Sequence, residues 1–204
     1  MLRKGKIIGI FLIIFLGDFY RSYCQTDHEF WFAAPALTHE FISPGPILYQ
    51  NLNHPIQLAF TTSEGPTWVT ISMPANPSFT PILVSVTNAA AKVVNLTAFL
   101  DSVENTSSNT ILNRGIHMTS KKPITAYYEV ESSFNAETWP LLGKNALGYE
   151  FILPSQNQYA NYPYSDPPAR NTFDIVATED STTVKIIPKV PLVGHVANDT
   201  FPFI

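Results

Sequence analysis

Cysteine is almost missing from this chain: Cys24 is the only one in 204 residues. It stands at the end of a segment that reads as removable, so a disulfide framework is excluded. Charge is scarce too, at 14 % of residues, against 45 % hydrophobic residues and 17 prolines. Few charges with much Pro, Thr, Ser and Asn exclude a disordered chain and point to many short strands joined by turns. Nor is there a long apolar run. Ile7 to Leu16 is too short to span a bilayer, and Arg3, Lys4 and Lys6 precede it. This is the pattern of a secretory signal peptide over 1–24, with Ser22 and Cys24 as the small residues before a cut that leaves Gln25 first. Lipid attachment at Cys24 is disfavoured by the bulk of Tyr23.

An exported domain, 25–204, without cysteine needs a core that stands alone, which fits a bacterial exporter better than a secreted animal domain. Loss of the signal removes Arg3, Lys4, Lys6 and Arg21 against Asp18, leaving eight basic and fifteen acidic residues and a formal charge of −7. Such a chain is a poor partner for nucleic acid and has no polybasic patch for anionic lipid.

Catalytic signatures are missing as well. His28, His39, His54, His117 and His195 show no metal-ligand spacing. In Asp27-His28-Glu29 the strand period lets the two acids meet on one face and sends His28 to the other. Glu179 and Asp180 are adjacent, whereas a glycosidase pair must face across a scissile bond, so turn hydrogen bonds are their expected role. No nucleophile elbow, phosphate loop or dinucleotide fingerprint occurs. No catalytic residue, metal or cofactor is therefore assigned, and the chain reads as a non-enzyme. Asn95, Asn105 and Asn198 open glycosylation sequons that matter only on a eukaryotic route.

What is present is alternation. Ile116 and Met118, then Ile124, Ala126, Tyr128 and Val130, fall on a core side, with His117 on the polar side and a turn expected at Ser120 to Pro123. Residues 27–36 read as an opening strand and 41–55 as a loop. A hairpin is expected over 55–77, with Ile56, Leu58 and Phe60 leading into Glu64-Gly65-Pro66 and Val69, Ile71 and Met73 leading out. Ile82, Val84 and Val86 continue the period, and Leu96, Phe99, Leu100 and Val103 mark one short helical turn. Tyr149, Phe151 and Leu153 read as a strand face, and Phe173 to Pro188 as a second hairpin about Glu179-Asp180-Ser181. The fold class is all-β, an antiparallel β-sandwich of about ten short strands with at most one short helix. Between them, 157–171 reads as a long surface loop whose Tyr159, Tyr162 and Tyr164 are the candidate ligand-binding aromatics.

Five blocks in order, EFWFAAPA, VTISMPANPSFTPILVSV, NTILNRGIHMTSKKPITAYYEV, LLGKNALGYEFILPSQ and FDIVATEDSTTVKIIP, resemble the IgGFc-binding protein N-terminal domain family, in its bacterial, Bacteroidetes-type surface and secreted branch. The resemblance implies an extracellular, β-rich recognition or adhesion module at the front of longer multidomain proteins, and it brings no catalytic residues with it. Because the chain stops at HVANDTFPFI just as an apolar run restarts, a domain truncated at its C-terminus, with further domains beyond, is expected. The expected partner is an extracellular glycoprotein, glycan or protein. The competing readings are an extracellular hydrolase domain, which needs His, Asp, Glu or Ser to converge in one pocket, and a structural spacer, which needs no exposed aromatic patch.

Overall fold

The computed structural model describes residues 25–36, 55–107, 109–131, 136–154, 171–192 and 201–203. The fold is all-β. One seven-stranded antiparallel sheet carries β1 (Asp27–Phe32), β3 (Ile56–Thr61), β4 (Thr67–Ser72), β5 (Ile82–Val86), β6 (Lys92–Asn95), β8 (Ile116–Val130) and β9 (Glu137–Pro140). Two further pairs are short: β2 (Ala34–Pro35) lies parallel to β7 (Glu104–Asn105), and β10 (Val184–Ile186) is antiparallel to β11 (Phe201–Phe203). The expected helical turn is present as a 3-10 turn at Thr97–Phe99 running into α1 (Leu100–Val103), with Val103 buried. No helix among the described residues is long and apolar enough to cross a membrane.

β8 organises the large sheet, pairing with four of its six other strands. It is one strand of 15 residues, so the turn expected at Ser120 to Pro123 does not form. Its first half pairs with β4 on one side and β1 on the other, and its second half with β3 and β9. Lys121, Lys122 and Pro123 have no register partner, because this is where the strand passes from one set of neighbours to the next. A proline is tolerated there since its missing N–H would have no ladder bond to make. The side-chain period survives the corner: Ile116, Met118, Ile124, Ala126, Tyr128 and Val130 are all buried. The sequence pattern was right about faces and wrong about the turn.

The hairpin expected over 55–77 is corrected for the same reason. β3 and β4 do not pair with each other; both run antiparallel to β8, end to end, β3 beside its second half and β4 beside its first. The Glu64-Gly65 bend is the matching corner on that side, with Gly65 at φ +82°, a conformation glycine adopts without penalty. Side chains close the corner: Lys122 Nζ donates to the Glu64 carbonyl at 2.8 Å, Thr62 Oγ1 to the Pro123 carbonyl at 3.1 Å, and Ser120 Oγ to the Lys122 carbonyl at 2.7 Å. Corners of this kind let one sheet fold over itself. The hairpin neighbour of β4 is β5, with Val69 opposite Val84 and Ile71 opposite Ile82.

A single core fills the fold, built from Phe30, Ile56, Leu58, Phe60, Val69, Ile71, Val86, Met118, Ile124 and Tyr128 among others. The final third departs from expectation. Residues 147–154 form no strand, and Tyr149, Phe151 and Leu153 are exposed. Phe173 to Ala177 form no strand either, so the second hairpin is replaced: its outgoing limb, β10, pairs with β11, Val184 opposite Phe203 and Ile186 opposite Phe201. The alternation there was real, but strands follow partners rather than propensity alone.

Candidate binding face

With Ile116 and Met118 of β8 in the core, His117 and Thr119 between and beyond them face out on the β5–β4–β8–β1 half of the sheet. Register sets the neighbours. Leu83, Thr70, Thr119 and Glu29 form one row across the four strands, and Ser72, His117 and Trp31 another. Two features occupy this face.

The first is a polar clasp at the β1 side. Glu29 Oε1 accepts from Trp31 Nε1 at 3.1 Å and shares a hydrogen bond with His117 Nε2 at 3.0 Å, while Oε2 meets Lys144 Nζ at 2.9 Å. The His117 ring stacks on Trp31, centroids 4.0 Å apart. Lys144 opens a 3-10 turn, Lys144–Ala146, and its backbone N–H donates to Asp27 Oδ2 at 2.7 Å. Asp27 and Glu29 therefore do converge, on Lys144. Among the described residues no group of three His, Cys, Asp or Glu is placed to hold a metal ion.

The Lys144 bond is the main reason the Glu29 carboxyl is pulled down to about 2; partial burial opposes it, and the Trp31 and His117 bonds assist. A carboxylate so held, with both oxygens occupied, is a poor proton acceptor and serves as a fastener. Since its folded value lies below its ordinary 4.5, its contribution is present above that value and is lost as pH falls towards 2. Glu29→Gln is expected to flatten the acid limb of stability across this window while leaving neutral-pH stability lower by about 1 kcal/mol, the scale of a solvent-screened, hydrogen-bonded pair. Urea midpoints at pH 2.5, 4 and 7 measure it, and an unchanged acid limb refutes the clasp.

The second feature is an open groove of about 600 Å³ at the β4 side. Trp68 is 57 % and Leu83 61 % exposed at its edges. Thr70 and Thr119 bring hydroxyls, and Lys121 and Lys122 bring charge. Trp68 lies on the outer side because Val69 beside it, opposite Ser120, is fully buried. A large indole left half in water in the middle of a sheet is the kind of exposed apolar surface that marks a contact site. In the sequence Trp68 alternates with Val69 and Ile71, and only the fold shows it beside two lysines from 53 and 54 residues further on.

Tyr159, Tyr162 and Tyr164, the aromatics favoured from sequence, lie outside the described residues. His117 is on the outer face as expected, but half-buried and bonded rather than idle. Glu179 and Asp180 sit in a turn, where the Glu179 carbonyl accepts from Thr182 Oγ1 at 2.8 Å.

No curated protein and no solved structure matches the chain. The model of the family described as IgGFc binding protein matches residues 136–203, a third of the chain, from β9 through β11 and including Lys144 of the clasp; two of the five blocks quoted above fall within the match and three precede it.

Proposed function

We propose that the chain is an exported, secreted or surface-displayed binding module rather than an enzyme, and that it engages an extracellular glycoprotein, glycan or protein through the outer face of β5, β4, β8 and β1. The match to a family named for binding a protein supports a macromolecular ligand. The observation that carries the reading is Trp68, half in solvent at the rim of a groove with Leu83 exposed beside it on the neighbouring strand. Hot spots of recognition are enriched in such residues.

A glycan and glycoprotein array that includes immunoglobulin G Fc, probed with the chain from Gln25 onward, tests it. Binding to at least one member is expected, with Trp68→Ala weakening it by about thirtyfold or more, the equivalent of a 2 kcal/mol hot spot. Array binding that Trp68→Ala leaves intact would show that another surface does the work.

A further inference from the structure

Three properties of the groove narrow its ligand. None of the nine residues lining it is acidic and two are lysines, in a chain whose net charge is −4. Lys122 is tied to the Glu64 carbonyl, whereas Lys121 is exposed and makes no hydrogen bond or ion pair with any described residue. Trp68 is exposed on the same rim. An indole face, the Thr70 and Thr119 hydroxyls and one untethered ammonium match a ligand with a flat C–H face, hydroxyls of its own and a negative charge.

A peptide fits less well. β4 is flanked by β5 and β8, so its backbone amides are already paired and strand addition is closed to it. The groove is an open depression in the sheet face with Trp68 and Leu83 at its edges, not an enclosed pocket for an anchoring side chain. Its volume of about 600 Å³ is within the ordinary range for small-ligand clefts. We propose, resting on the binding-face reading above, that the groove takes an acidic oligosaccharide, with a sugar ring stacked on Trp68, hydroxyls paired with Thr70 and Thr119, and its anionic group on Lys121.

Calorimetric titration of the chain from Gln25 onward tests this with a hyaluronan hexasaccharide, its carboxyl-reduced neutral form and a glutamate-rich peptide. The acidic sugar is expected to bind about tenfold or more tightly than the neutral one, with a preference that fades as salt rises. Lys121→Gln is expected to erase that preference while keeping the weaker neutral binding, and Trp68→Ala to weaken both sugars. Equal binding of the two sugars, an unaltered preference in Lys121→Gln, or tighter binding of the peptide overturns the proposal. Absence of all sugar binding, with an array ligand still lost in Trp68→Ala, overturns it too and leaves the binding face standing. Array binding insensitive to Trp68→Ala removes both.

Discussion

Phe30→Ala is expected to cost about 3–5 kcal/mol of unfolding free energy, whereas His117→Ala, one register position away on the neighbouring strand, costs about 1–2 kcal/mol. Phe30 is fully buried on β1 and pairs with Met118, also fully buried, so its truncation opens a cavity between β1 and β8 at the base of the candidate face. His117 pairs with Trp31 on the outer side, where it gives up one hydrogen bond to Glu29 and one stacking contact. Position alone separates the two: a buried aromatic loses transfer energy and packing together, and a half-exposed imidazole is replaced in part by water. Urea midpoints of both variants, with m-values confirmed equal to that of the parent, measure the difference. Comparable losses would show that the two sides of β8 are not distinct.

Those sides were legible because a strand's period is local. Ile116, Met118, Ile124, Ala126, Tyr128 and Val130 alternate visibly in the sequence and are buried. The short helical turn at Thr97 to Val103 was legible for the same reason, its apolar residues falling three and four apart. What a local pattern cannot carry is pairing. Lys121, Lys122 and Pro123 look like a turn because Pro forbids a ladder bond, and only the change of partner along β8 shows that no bond was required there. The corner at Gly65 looks like a hairpin for the mirror-image reason. At 149–153 and 173–177 the alternation found no partner strand, and those side chains are largely exposed. The candidate site suffers most from this limit. Glu29 and His117 are 88 residues apart, and Lys144 lies beyond both, so nothing short of register brings them together. Trp68 carried one signal, an aromatic on the polar side of an alternating strand, and that signal is a usable one.

Gly143→Ala is expected to loosen the same clasp from the backbone, at a cost of about 1–3 kcal/mol, the range for forcing an extra carbon into packed surroundings. A Cβ built on Gly143 would stand 2.2 Å from Asp27 Cβ and 2.4 Å from Asp27 Oδ2, closer than side-chain atoms approach. The φ of Gly143 is −75°, so the position demands glycine for space alone. Asp27 cannot retreat freely, since its carboxylate holds the backbone N–H of Lys144 at 2.7 Å and that of His28 at 2.6 Å. Whichever side yields, the start of the Lys144 turn moves away from β1 and Lys144 Nζ leaves Glu29. The Glu29 carboxyl then rises towards its ordinary value, and the acid limb of stability shifts to higher pH with it. Asp27→Gly removes the colliding atoms, so adding Gly143→Ala to that variant should cost no more than about 0.5 kcal/mol. A double-mutant cycle by urea denaturation, run at pH 7 and again at pH 3.5, separates the contributions: strong coupling at pH 7 that shrinks at pH 3.5 is the expected result, and additive losses at both would mean that Gly143 and Asp27 do not meet in the folded protein.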